Sequence, residues 1–121
     1  MSKTLTEAVL KESISKIVRQ IVEIFHPQKV ILFGSYAYGK PSEAGDVDLL
    51  VVMDTEENPL HTAARIAASV EHPFPLDILV IRPSDLEASL EQRNVFETEV
   101  MTKGITLYEA EDDRVDRKGR G

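Results

Sequence analysis

The chain has 121 residues, of which 42% are hydrophobic, and this predicts a single domain with a modest core. Its formal net charge of −7 argues against general binding to nucleic-acid backbones, which requires a basic surface. The lack of cysteine excludes disulfides and thiolate zinc sites, and since no apolar stretch approaches ~20 residues we expect a cytoplasmic protein without a membrane span.

The first half of the chain predicts one long helix and two strands. Apolar residues recur at helical spacing over 4–25, with Thr4 and Glu7 as a capping box and Pro27 closing the segment. Short apolar runs at 29–33 and 47–53 predict buried strands.

The second half continues with further helices and strands. Apolar patterning predicts a helix at 60–70, a third buried strand at 76–81, a helix at 84–90 capped by Ser84, and a helix at 94–103 stopped by Gly104. Residues 105–108 suit a short edge strand. We expect the folded domain to span 1–110 and the charged segment 111–121 to be a disordered tail.

The segment 30–54 carries the most informative pattern. The first strand ends at Gly34-Ser35, and after a loop Asp46 and Asp48 open the second strand. Side chains alternate across a strand, so these two acids point to the same side. Their carboxylates repel unless one is protonated or a divalent cation lies between them. A third acid, Asp77, lies inside the third apolar run.

Strand directions follow if the three acids form one site. The first two strands must be antiparallel to bring Gly34-Ser35 to the Asp46 end of the second strand. The third strand must be parallel to the second to bring Asp77 there, with the 60–70 helix as the crossover. The expected fold is α/β (α+β), a small mixed sheet of three to four strands with helices packed on it.

This arrangement suits phosphate chemistry. One or two Mg²⁺ ions take oxygen ligands and complete their coordination with water and phosphates, as in nucleotidyl transfer. A helical turn starting at Ser35 would offer N–H groups to a phosphate, and Gly34 allows a close approach. Structural alternatives stay open, since Asp46 suits a turn cap and Asp77 a solvent-facing strand end.

The motif Gly34-Ser35, ten residues, then Asp46-x-Asp48 resembles the signature of the minimal nucleotidyltransferases of the DNA polymerase beta superfamily. The resemblance covers nearly the whole domain. It implies that Asp46 and Asp48 are metal ligands, that Asp77 is the third carboxylate and helps activate the attacking hydroxyl, and that Gly34 and Ser35 bind a nucleoside triphosphate.

Short chains of this superfamily resemble the antitoxin of two-gene modules whose toxin is a HEPN-type ribonuclease. The resemblance implies Mg²⁺-dependent transfer of AMP from ATP to a hydroxyl of that partner, a tyrosine, without direct nucleic-acid binding. Two alternatives stay open: a non-catalytic antitoxin that neutralises its partner by contact, and transfer to a small molecule. Homo- or hetero-oligomers are compatible with the apolar edge at 105–108.

The loop departs from the family pattern at two positions. Tyr36 and Tyr38 stand where many relatives carry arginine, which is expected to lower catalytic efficiency more than nucleotide binding. Lys40 could supply the missing cation to the nucleotide or stay in solvent. Tyr36 could stack on the nucleotide base or pack the loop.

Overall fold

The computed structural model describes residues 7–39 and 46–111, in which four helices pack on one four-stranded sheet. In chain order the elements are α1 (Glu7–Phe25), β1 (Lys29–Phe33), β2 (Val47–Val52), α2 (Pro59–Ser69), β3 (Leu76–Ile81), α3 (Pro83–Glu91), α4 (Val95–Lys103) and β4 (Ile105–Glu109). The strand order across the sheet is β3-β2-β1-β4.

The strand directions confirm the mixed sheet that the acid pattern predicts. Strand β1 pairs antiparallel with β2 and places Phe33 opposite Asp48. Strand β2 pairs parallel with β3 and places Asp48 opposite Asp77. Helix α2 makes the crossover that this parallel pair requires. Strand β4 pairs antiparallel with β1 and forms the predicted edge strand.

Both faces of the sheet are covered, because successive side chains of the central strands point to opposite sides and nearly all of them are apolar. One core lies between the sheet and helices α1 and α2, and its fully buried members include Ile17, Ile21, Leu49 and Ile66. The other lies between the sheet and helices α3 and α4, and contains Ile31, Leu50, Val52, Leu86 and Val100. Strand β2 therefore lies in the middle of the domain, and Asp48 is its only charged residue.

The prediction that β3 is a buried strand is wrong. It is an edge strand whose residues alternate between half-buried and exposed in its first four positions, with Asp77 and Leu79 on the exposed side. The apolar run misleads because it does not show how much of the outer face the helices cover. Asp77 accordingly meets solvent.

The end of α1 and both boundaries of α2, α3 and α4 are as predicted within one residue, but two of the proposed signals work differently. Ser84 does not cap α3: the helix starts at Pro83, at the first-turn position that proline favours, and Arg82 at the N-cap makes no side-chain cap bond. Gly104 ends α4 with a φ of −69°, so it is not a left-handed cap. A Cβ there would overlap the Val100 carbonyl oxygen and lie 2.8 Å from Ile31 Cγ2, so close packing requires the glycine.

Several expectations fall outside the described residues. These are the capping residue Thr4, the loop at 40–45 and the tail from 112 onward. Among the helices that are described, none combines the length and apolar character needed to cross a membrane.

The end of α1 offers a test of the fold. His26 follows the helix with a φ of 53°, in the left-handed region that costs a side-chain-bearing residue roughly 1–2 kcal/mol. Because glycine avoids that cost but loses more chain entropy on folding, we expect His26→Gly to raise the free energy of unfolding by about 0.5–1 kcal/mol in urea titrations.

The matched control is Ala64→Gly, at an exposed position inside α2. Here glycine relieves no strain, so a loss of about 1 kcal/mol is expected. Equal losses at both positions would contradict the strain assigned to His26.

Candidate active site

Three side chains form a row across one end of the sheet, on the face that α3 and α4 cover. Phe33 of β1 lies opposite Asp48 of β2, which lies opposite Asp77 of β3. Directly paired residues share a face, with Cβ atoms roughly 5 Å apart. The fold thus brings Asp48 and Asp77 together. We call Phe33, Asp48 and Asp77 the acid row.

Gly34 lies directly against this row. Its φ is +85°, and a Cβ added there would overlap the Asp48 Oδ2 atom and lie 3.1 Å from Asp48 Cγ. Only glycine meets both demands, a left-handed backbone and contact with a carboxylate. Gly34 therefore allows the turn that follows β1 to pack directly against the Asp48 carboxylate of β2.

A single helical turn follows, as the sequence predicts. The Tyr38 N–H donates to the Gly34 carbonyl oxygen at 3.0 Å. The N–H groups of residues 35–37 come before this first i to i+4 bond, as in the first turn of a helix, where such groups are available to an anion. The turn thus places Ser35 next to Gly34 and close to Asp48.

The sequence also predicts two further nucleotide-binding residues in this loop, Tyr36 and Lys40. Tyr36 is half-buried and packs against the core on the α1 side of the sheet, so loop packing is one role that it does fill. Its stacking on a nucleotide stays a prediction. Lys40 lies outside the described residues.

Asp48 has a pKa that its surroundings shift strongly. Burial comes first, and then a hydrogen bond with Asp77 and the negative charges of Asp77 and Asp46; together they raise the pKa of Asp48 from 3.8 to about 6. Asp46 lies just before β2 and is half-buried. The sequence predicts a costly cluster of carboxylates, and the raised pKa of half-buried Asp48 shows that cost in the structure.

The carboxylates suit a divalent cation by their chemistry. Within residues 7–39 and 46–111, no three His, Asp or Glu side chains stand in a ready-made metal-holding group. Yet the negative charges of Asp77 and Asp46 help to raise the pKa of Asp48. A cation among the three carboxylates would lower that pKa instead. Oxygen ligands of this kind, few in number, are what Mg²⁺ takes from proteins. The donor set therefore fits the predicted ion.

The row also contains a residue that sequence reasoning missed. Phe33 makes an edge-to-face contact with Phe96 of α4, with ring centroids 5.4 Å apart. The sequence holds no signal for this contact, because it depends on how α4 crosses the sheet.

Comparison with sequence families decides the family of this chain. Residues 12–113, most of the chain, match the family described as Polymerase beta, Nucleotidyltransferase. The chain belongs to this nucleotidyltransferase family. The match confirms the resemblance seen in the Gly34-Ser35 and Asp46-x-Asp48 spacing.

Solved structures share the fold of this nucleotidyltransferase. A Sulfolobus solfataricus protein assigned as a nucleotidyltransferase has a TM-score of 0.56 at 17% identity, covering 89% of this chain and 93% of the other. A mutant form of the toxin–antitoxin complex MntA-HpeT gives 0.51 at 24% identity, with 91% and 77% covered. A toxin–antitoxin complex with AMP-PNP gives 0.50 at 24% identity, with 85% and 76% covered. Comparison with curated protein sequences gives no match.

Gly34→Ala tests the contact between the turn and Asp48. The substitution adds a left-handed backbone cost of roughly 1–2 kcal/mol and displaces the Asp48 carboxylate. Gly39→Ala is the control, because Gly39 has a similar φ of +82° and no atom of residues 7–39 or 46–111 lies within 4 Å of its added Cβ. We expect both variants to lose stability in urea titrations and only Gly34→Ala to move the Asp48 carboxyl resonance in NMR spectra. Equal spectra for the two variants would count against the contact.

Asp48→Asn tests the origin of the raised pKa. The folded state holds the Asp48 proton more tightly than the unfolded state, so this group lowers stability as pH rises from about 4 to about 6, and the loss is complete above that range. In buffer with a chelator, Asp48→Asn should therefore be more stable than the wild type at pH 7.5 and nearly equal to it near pH 4.

The control for this pH dependence is Asp54→Asn, at an exposed aspartate after the other end of β2. The melting temperature of Asp54→Asn should equal that of the wild type at each pH between 4 and 7.5. A stability difference for Asp48→Asn that does not grow between pH 4 and pH 7 would refute the assignment.

Proposed function

We propose that this nucleotidyltransferase transfers AMP from ATP, with Mg²⁺, to a tyrosine hydroxyl of a HEPN-type toxin, and so acts as its antitoxin. The observation that carries the proposal is the acid row, in which Asp48 lies beside Asp77 and against Gly34. The proposal is supported by this proximity, because it assigns metal binding to the acids and phosphate binding to the turn that begins at Gly34.

Each residue of the site has a distinct role in the proposal. The turn at Ser35 binds the triphosphate through backbone N–H groups and the serine hydroxyl. Asp46, Asp48 and Asp77 hold Mg²⁺, which when bound supplies positive charge to the reacting phosphate. The half-buried position of Asp48 and its contact with Gly34 fix the centre of the site.

Asp77 suits the acceptor side of the reaction. The acceptor oxygen attacks the α-phosphorus of ATP, the bond to the bridging oxygen breaks, and pyrophosphate leaves. Asp77 takes the proton of the attacking hydroxyl, as a general base does. Because Asp77 is exposed on an edge strand, a side chain of a second protein can reach it without any rearrangement of the sheet.

The similar structures support the choice of partner. Two of them are toxin–antitoxin complexes, and one of these contains the ATP analogue AMP-PNP. Binding without catalysis and transfer to a small molecule remain as outcomes of the experiment below.

The test is label transfer from ATP. The purified chain is incubated with ATP labelled at the α-phosphate, Mg²⁺ and the product of the adjacent gene, which the proposal expects to be of the HEPN type, and label is followed on that partner. We expect label on a partner tyrosine by mass spectrometry, loss of label with a chelator, and no label with Asp46→Asn/Asp48→Asn. Asp77→Asn should lower the rate by roughly 10²–10⁴-fold, because it removes a positioned base.

Asp54→Asn again serves as the control and should label the partner at the wild-type rate. If the wild type protects cells from the partner and the Asp46→Asn/Asp48→Asn variant protects them equally, the protein acts by binding alone. Label on an added aminoglycoside in place of the partner would instead identify a small-molecule acceptor.

A further inference from the structure

Two exposed apolar residues open helix α4 beside the acid row. Val95 is 80% exposed and Phe96 is 42% exposed. Within α4 only Val100 is fully buried, so the start of this helix contributes little to the core. We call Val95 and Phe96, with Phe33 in contact with the Phe96 ring, the α4 surface.

The α4 surface is continuous with the catalytic candidates. The ring of Phe96 contacts Phe33 edge to face, with an interplanar angle of 87°. Phe33 in turn lies directly opposite Asp48 in the sheet. One paired residue thus separates the exposed aromatic ring from the carboxylate with the raised pKa.

Apolar exposure extends to the other side of the acids as well. Leu79 is 38% exposed and lies two residues after Asp77 on β3, so the two side chains share a face of the sheet. Three of the six exposed large apolar residues in the described part of the chain are thus Val95, Phe96 and Leu79. Val95 and Phe96 are adjacent on α4, and adjacent exposed apolar residues mark a binding site, whereas scattered ones need no explanation.

We propose that the α4 surface docks an apolar, aromatic-containing segment of the acceptor protein, the segment that carries the modified hydroxyl. The inference rests on the proposed function: a hydroxyl that reaches Asp48 and Asp77 brings its own chain over the surface next to them. Glu97 in the first turn of α4 and the acids of the row add negative charge beside this surface, whereas exposed Arg93, just before the helix, adds positive charge at its start. The docked segment therefore carries a basic residue on the side that faces the acids.

The experiment compares Val95→Asp with Leu60→Asp. Leu60 is 72% exposed and lies in the first turn of α2, after the N-cap Asn58, just as Val95 follows the N-cap Asn94. Aspartate suits the first turn of a helix electrostatically, so both variants should keep the wild-type melting temperature within error. Only Val95→Asp places a charge on the proposed docking surface.

Binding to the partner protein and the KM values for partner and for ATP are measured for the wild type and both variants. We expect Val95→Asp to weaken partner binding and raise the KM for the partner by about tenfold or more, with the KM for ATP unchanged. Leu60→Asp should match the wild type in all three quantities. Equal partner binding by the two variants, or a raised KM for ATP with an unchanged KM for the partner, overturns the proposal; the second result would assign the surface to the nucleotide base.

The two proposals fail in different ways. If the wild type binds its partner but transfers no label, AMP transfer is excluded, and a specific loss of binding in Val95→Asp still identifies the docking surface. If label transfer proceeds and Val95→Asp supports it with wild-type kinetics, the function stands and the docking surface is wrong. A wild type that neither binds nor labels the partner overturns both.

Discussion

The site depends on the contact between Gly34 and Asp48. A carboxylate at the start of a central strand loses hydration, and its neighbours Asp77 and Asp46 add repulsion. The turn at Gly34 closes over this carboxylate so tightly that no Cβ fits. Because the turn and the acid fix each other, the candidate phosphate-binding turn and the candidate metal ligand Asp48 are positioned by one contact rather than by two separate parts of the fold.

The sheet explains why this contact is stable. Strand β2 is buried from both sides, by α1 and α2 on one face and by α3 and α4 on the other. Its register with β1 and β3 cannot slip by one residue without turning the apolar side chains of a whole strand to the wrong face. That same register sets Phe33, Asp48 and Asp77 in line. Core packing, which has no catalytic role itself, therefore holds the acid row in place.

The site is open on the side where an acceptor would arrive. Asp77 lies on an edge strand, and Phe96, whose ring contacts Phe33 next to Asp48, is exposed. An enzyme for a small acceptor has to enclose its substrate with its own residues, whereas a protein acceptor brings much of the covering surface with it. The exposure of Phe96 and Val95 beside half-buried Asp48 is consistent with the second arrangement.

The sequence by itself predicted the strand directions, on the assumption that the three acids form one site, and its Gly34-Ser35 and Asp46-x-Asp48 motif resembled the family that the comparison confirmed. It could not show that β3 is an edge strand or that Asp77 is exposed, since an apolar run looks the same in the centre and at the edge of a sheet. Nor could it reveal that Phe96 lies on Phe33, or that Gly104 serves close packing and not a left-handed cap. These features depend on which helix crosses which strand, and only the tertiary packing of α3 and α4 decides that.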